Sequence, residues 1–257
     1  MKNCVLFTIA IVATYFSFAA PPKKEYYSIQ VYHFSTAAQE QALDAYLEKA
    51  WLPAAHKLGF KSIGIFKPIA NDTAANKRIY IITAATATDK LFNMAALINA
   101  DADYKTAAAS YLSTPYTQPA FTRIETILLS AFRLAPHMHL PQLTTPKEQH
   151  VYELRSYESP TEERYISKVK MFNEGGEITL FKRLQFNAVF YADVISGSLM
   201  PNLMYLTSFD TMEERTAHWK TFSADAAWKT LSAMPEYQRN VSKSDIILMR
   251  AAAYSDY

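Results

Sequence analysis

Residues 150–158 combine charged side chains with aromatic and apolar ones, a composition that predicts a strand. Glu153, Arg155 and Tyr157 share one face of that strand, because side chains two residues apart point the same way. A guanidinium beside a phenol could orient a small anionic or aromatic ligand. The alternative is a structural ion pair, in which Glu153 only satisfies the donors of Arg155.

Three further side chains join these ligand-binding candidates by position. Tyr32 falls on the corresponding face of the first strand, and Tyr191 falls on a later strand. His218 lies at the edge of the apolar arc of a helical pattern near 211–233, where it could border a pocket. Packing is the alternative for this stretch, and Trp219 is expected in the core.

Other kinds of reactive site find little support in the sequence. His137 and His139 could both face a metal, but two ligands are too few, so no metal site is predicted. The single Cys4 rules out an intramolecular disulfide. No nucleophile triad, paired carboxylates or phosphate loop is evident. A cofactor is therefore not expected, and an enzyme is the less favoured class.

Composition indicates a globular protein. Half of the 257 residues are hydrophobic, and 26 basic against 24 acidic residues leave a formal charge of +2. Without a long basic block, no nucleic-acid partner is expected.

The first residues resemble an export signal. Met1 and Lys2 precede an apolar run over Val5–Phe18, and Ser17-Phe18-Ala19 forms a small-x-small cleavage site. We expect a signal peptide at 1–19, cut after Ala19, and a periplasmic or secreted protein. A short membrane anchor is the alternative, and no later stretch is expected to span a bilayer.

The chain repeats itself at an offset of about 125 residues. Tyr27 falls on Tyr152, Tyr32 falls on Tyr157, and residues 79–90 lie over 203–214. Such ordered, evenly spaced matches indicate duplication.

Each half has the pattern of a βαββαβ unit. Strands are expected near 26–34, 61–68, 78–86, 121–131, 150–158, 186–194, 202–209 and 242–250, and helices near 36–58, 88–112, 160–183 and 211–233. The units span 24–132 and 150–257, joined by a proline-rich linker at 133–149.

Capping residues and helix breakers refine the expected helices. Thr36, Thr86, Ser159 and Thr211 are the expected N-caps, with Pro160 at a first helical position. Pro53 and the Gly175-Gly176 pair are expected to kink or break the first helix of each unit.

Two such units can place their sheets face to face, which predicts an α+β fold: two tandem units forming a pseudo-dimeric α/β barrel. The polar faces of the first strands, Ser28, Gln30 and Tyr32 with Glu153, Arg155 and Tyr157, are expected to line its interior. Buried polar groups need partners, so a wet or ligand-filled interior would follow.

Long stretches of the second half resemble the NIPSNAP family. They are "GGEITLF" (175–181), "MPNLMYLTSFDTMEERTAHWKTFSADAAWKTLSAMPEYQRNVSKSDIILMR" (200–250) and the closing "YSDY". In the first half, "LPAAHKLGFKSIGIFKP" (52–68) resembles the same family's amino-terminal domain. The resemblance implies tandem ferredoxin-like domains of the dimeric α/β-barrel kind, and carries over no catalytic residues.

Two functional hypotheses remain open. The first is an exported binding or interaction protein, expected to be a homo-oligomer, whose barrel holds a small ligand or whose sheets and helices support oligomerisation. The second is a cofactor-independent enzyme, monooxygenase-like or isomerase-like, that uses the barrel cavity.

Overall fold

Both halves follow the expected βαββαβ order in the computed structural model, which describes residues 23–257. The first half contains β1 (Tyr26–Phe34), α1 (Ala37–Tyr46), α2 (Leu52–Lys57), β2 (Gly64–Pro68), β3 (Lys77–Ala85), α3 (Thr88–Ala100), α4 (Ala102–Ala107), α5 (Ala109–Leu112) and β4 (Arg123–Ala131). The second contains β5 (Val151–Glu158), α6 (Glu162–Asn173), α7 (Glu177–Arg183), β6 (Asn187–Ser196), β7 (Asn202–Phe209), α8 (Met212–Ala224), α9 (Ala226–Ala233) and β8 (Lys243–Ala251). The expected signal peptide and Cys4 lie outside the described residues.

The strands close into one antiparallel barrel in the order β1-β3-β2-β8-β5-β7-β6-β4. Each half supplies a four-stranded sheet, and the sheets meet where β2 pairs with β8 and β4 with β6. The predicted pseudo-dimeric α/β barrel is therefore confirmed. No helix among residues 23–257 is long and apolar enough to cross a bilayer.

The two expected helix breaks are present. A π-helical turn, Leu47–Trp51, ends two residues before Pro53, whose ring nitrogen cannot donate to the preceding turn. In the second half, Gly176 separates α6 from α7 with φ of 88°, a left-handed conformation that glycine adopts without strain.

Two of the four expected N-caps are confirmed. Thr36 and Thr211 each accept a hydrogen bond from the amide three residues on. The other two predictions are wrong. Helix α3 has Ala87 at its N-cap, without a side-chain bond, and α6 is capped by Thr161, so Pro160 precedes the cap.

The barrel interior is filled by apolar side chains. This packed cluster draws its buried members from all eight strands and none from a helix; among them are Tyr27, Ile29, Phe66, Tyr80, Leu129, Tyr152, Leu154, Phe190, Leu206 and Met249. Tyr257, near the end of the chain, packs into the same cluster against Phe66 and Tyr152.

The expected lining of the interior is therefore wrong. The face that carries Glu153, Arg155 and Tyr157 lies outside the barrel wall, beneath the helices of the second half, and Tyr32 packs beneath those of the first. A closed interior offers few polar partners, whereas the helices bring polar and aromatic side chains that satisfy this face. The more apolar face consequently turns inward.

Candidate functional site

A cavity of about 350 Å³ lies between the outer face of β5 and β7 and the helices of the second half. We call it the sheet–helix cavity. Its lining residues are Arg155, Tyr157, Lys168, Glu177, Tyr205, Arg215, Trp219, Phe222, Ser223 and Trp228. Strands supply three of these, and α6, α7, α8 and α9 supply the rest.

Glu153 anchors the strand side of this cavity. Its carboxylate is completely buried and accepts hydrogen bonds from Arg155 Nε, Arg215 Nε (2.6 Å) and Trp219 Nε1 (2.9 Å). Arg215 and Trp219 are four residues apart on α8, so one helix face delivers both donors. The expected pairing of Glu153 with Arg155 is thus present, within a larger network.

Arg155 is held on three sides. Its Nε donates to Glu153, its Nη1 donates to the hydroxyl of Tyr157 at 2.9 Å, and its guanidinium carbon lies 3.6 Å from the centre of the Trp219 ring. Within residues 23–257, no hydrogen bond uses its Nη2. A positioned guanidinium with spare donors suits recognition of a carboxylate or a similar anion.

Two tyrosines continue the network across the strands. Tyr205 lies opposite Arg155 in the β5–β7 register, and its hydroxyl lies 2.9 Å from that of Tyr157. Because Tyr157 accepts from Arg155, its own proton is free to donate to Tyr205. Burial raises the pKa of Tyr205 well above its ordinary value, so this tyrosine stays neutral.

A second ion pair forms the helix side. Lys168 on α6 lies 2.8 Å from Glu177 on α7, and both side chains are almost fully buried. Burial raises the pKa of Glu177, although Lys168 opposes the shift. The Lys168 ammonium also lies 4.6 Å from the centre of the Phe172 ring. The break at Gly176 allows two consecutive helices to bring these charges together.

The six sequence-predicted candidates divide among three places. Arg155 and Tyr157 line the sheet–helix cavity, and Glu153 lies beneath it. Tyr191 and His218 line a separate groove. Tyr32 is buried in the first half, where tyrosine rings occupy the corresponding layer; Tyr46 and Tyr111 stack there with centres 3.7 Å apart.

Several lining residues escaped the sequence reasoning, namely Lys168, Glu177, Tyr205, Arg215 and Trp228. The spacing of Arg215 and Trp219 on one helix face was a usable signal. Trp219, expected in the core, does pack against Phe186, with ring centres 4.8 Å apart, while also bordering the cavity.

The separate groove has a volume of about 680 Å³ and runs between the linker, β6, α7 and α8. We call it the linker groove. His137, His139 and His218 border it. Its histidines belong to no cluster of three or more side chains able to hold a metal ion, since no such cluster occurs within residues 23–257.

Solved structures share this architecture. A candidate monooxygenase from Fusobacterium nucleatum subsp. nucleatum superposes with a TM-score of 0.58 at 6% identity, over 90% of this chain and 93% of its own. A candidate monooxygenase from Lactobacillus acidophilus gives 0.53 at 12% identity, over 89% and 94%. An anthrone oxidase-like protein gives 0.50 at 9% identity, over 91% and 94%. At these identities the likeness concerns the fold alone.

Sequence comparison is more specific. No curated protein sequence matches the chain. The NIPSNAP family model matches residues 152–256, which include every residue that lines the sheet–helix cavity. Residues 152–256 are therefore identified as a NIPSNAP domain.

Proposed function

We propose that this protein binds a small anionic molecule with an aromatic ring in the sheet–helix cavity. The geometry of Arg155 supports this most directly. Its side chain is fixed by Glu153, Tyr157 and Trp219, and yet its Nη2 makes no hydrogen bond within residues 23–257. A guanidinium held in this way loses little conformational freedom when a ligand arrives.

The charges that surround the cavity favour an anion. Arg155, Lys168 and Arg215 contribute three positive charges, against two carboxylates, Glu153 and Glu177. An anionic ligand would balance the remaining positive charge. The volume of about 350 Å³ lies at the lower end of ordinary ligand sites.

The aromatic walls favour a flat ligand. Tyr157, Tyr205, Trp219 and Trp228 line the cavity and offer ring faces and edges for stacking. A benzoate-like molecule, with its carboxylate on Arg155 and its ring between these side chains, combines both preferences.

We further propose that the protein is exported and forms a homo-oligomer, as expected from the sequence. The signal-like pattern at 1–19 supports export. Native mass spectrometry of the purified protein tests both the oligomer and a retained ligand, because it weighs the intact complex. A strictly monomeric mass would contradict the oligomer.

Calorimetric titration tests the binding site itself. We expect 4-hydroxybenzoate to bind and its neutral amide to bind at least about ten-fold more weakly, because a charge-assisted hydrogen bond is lost. Arg155→Lys preserves a positive charge beside Glu153 but removes the guanidinium fork. This variant should weaken the binding of 4-hydroxybenzoate by a similar factor. Arg123→Lys, an exposed change on β4, is the matched control. Equal binding of acid and amide contradicts the proposal.

A cofactor-independent monooxygenase or isomerase is the second candidate, and Glu177 favours it. This carboxyl lines the cavity with a pKa raised by burial, and a carboxyl whose pKa is raised can hold a proton and pass it to a bound substrate. Oxygen uptake with anthrone tests the oxidase form: one O₂ would convert anthrone to anthraquinone and water. Uptake that survives Glu177→Gln unchanged argues against this role of Glu177.

A further inference from the structure

Two backbone hydrogen bonds tie β6 to the chain that leaves β4, and the linker groove lies between them. The amide of Phe132 donates to the carbonyl of Tyr191, and the amide of His139 donates to the carbonyl of Val189, each at 2.9 Å. Residues 134–137 and His139 form one wall of the groove. Helices α7 and α8 form the opposite wall. Backbone hydrogen bonds and packed helices thus hold the space open.

Apolar side chains dominate the lining of the groove. Leu134 and Pro136 contribute from the linker, Ile178 from α7, and Phe186 and Ala188 from the start of β6 and the residue before it. The volume of about 680 Å³ is roughly twice that of the sheet–helix cavity. This groove can therefore bury a longer and more apolar molecule.

The rim of the groove carries an unmatched positive charge. Lys182 lines it and makes no ion pair or hydrogen bond to any residue in the described part of the chain, 23–257. Glu214, the only carboxylate among residues 23–257 that lines the groove, is already engaged: it accepts from the amide of Asp210 at 2.6 Å and lies 3.3 Å from His218 Nε2. The protein thus supplies a cation, and a bound molecule would supply the anion.

We infer that the linker groove is a second binding site, for an elongated apolar molecule with a single carboxylate end. The carboxylate lies at Lys182, with the imidazole of His137 as an additional donor, and the apolar body covers β6. Either a fatty acid or an elongated aromatic acid has this chemistry.

This site is independent of the function proposed for the sheet–helix cavity. Phe181, Phe186 and Trp219 stand between the two spaces, with the Trp219 ring 5.8 Å from Phe181 and 4.8 Å from Phe186. A variant at Arg155 should therefore leave the linker groove unaffected, and a variant at Lys182 should leave the cavity unaffected.

Calorimetric titration of the whole protein tests the inference, with dodecanoate and biphenyl-4-carboxylate as probes below their aggregation limits. We expect at least one acid to bind, and the corresponding alcohol to bind about five-fold more weakly, the size expected for a part-exposed charge interaction. Preference between the two probes distinguishes a fatty acid from an aromatic acid.

Variants locate the binding. Lys182→Ala should weaken the binding of the acid about five-fold and leave the binding of the alcohol unchanged. Lys220→Ala removes the same charge from an exposed position on α8 and should have no effect. Arg155→Lys should leave the binding of dodecanoate, which has no aromatic ring for the sheet–helix cavity, unchanged. Failure of both acids to bind, equal binding of acid and alcohol, or equal effects of the two lysine variants would overturn the inference.

Discussion

The guanidinium carbon of Arg155 lies 3.6 Å from the centre of the Trp219 ring, and both side chains donate to the buried carboxylate of Glu153. One strand and one helix are thereby joined through a single acceptor. The contact combines a cation–π interaction with two hydrogen bonds to the same charge, so each member depends on the other two.

Replacing Trp219 with phenylalanine should expose this dependence. Trp219→Phe removes the Nε1 donor to Glu153 and weakens the stacking on Arg155. We expect the free energy of unfolding to fall by about 2 kcal/mol, measured by urea denaturation. Trp51→Phe, a buried change in the first half, is the control for lost ring volume. Equal losses of unfolding free energy in both variants would mean that the hydrogen bond to Glu153 and the stacking on Arg155 add nothing to stability.

Glu153→Gln should destabilise the protein more strongly. The carboxylate serves two arginines and one indole, and a neutral amide would leave two partly buried guanidinium groups without a counter-charge. The expected loss in unfolding free energy is about 3–5 kcal/mol. Glu163→Gln, at an exposed position in the first turn of α6, should change it by no more than about 1 kcal/mol. A similar small loss at both positions would refute the network's role in stability.

Because of Asp193, the free energy of unfolding should decrease as the pH rises above 3.8. Burial raises the pKa of this carboxyl above its ordinary value near 3.8, although the Tyr165 hydroxyl, 2.6 Å away, opposes the shift. Between 3.8 and the higher folded-state pKa, the native state binds more protons than the unfolded state, so the unfolding free energy decreases with pH.

Asp193→Asn tests that sign, because an amide does not titrate and can still accept from Tyr165. Urea denaturation across pH 3.5–6.5 should show a less negative pH slope in this variant than in the wild type. Asp103→Asn, at a side chain that is 91% exposed, should leave the slope unchanged. A slope that Asp193→Asn does not alter would count against the assignment.

The glycine pair that separates α6 from α7 offers a geometric prediction. Gly176 has φ of 88° with open space where a Cβ would be, so Gly176→Ala should cost only the backbone strain, about 1 kcal/mol. At Gly175 a Cβ would lie 2.6 Å from the Met171 carbonyl oxygen, so Gly175→Ala forces the backbone to shift and should cost more. Thermal denaturation ranks the two variants, and the reverse order would show that the break is set elsewhere.

The duplicated element order was predictable from sequence because the repeats preserve both periodicity and spacing. The direction of the strand faces was not. Alternation shows that Glu153, Arg155 and Tyr157 share a face, but not whether that face meets the barrel or the helices. In this fold both faces are buried, so polarity alone does not separate them.

The candidate site was predictable only along β5. Lys168 and Glu177 meet across a helix break, and the sequence predicts the break but not the angle at which the chain continues. The wrong N-caps have a similar cause. Ser159 donates instead to the carbonyl of Asn240, a contact 81 residues away that no local pattern encodes.

The seams between the two sheets have one further consequence. β2 and β8 share only three residue pairs and β4 and β6 only four, whereas β1 and β3 share nine. Separate subunits would have to meet through these short ladders and the apolar interior. The linker makes closure intramolecular, at an effective concentration on the order of millimolar. The barrel should therefore stay closed at any dilution of the protein. An assembly of two separate chains would instead dissociate on dilution.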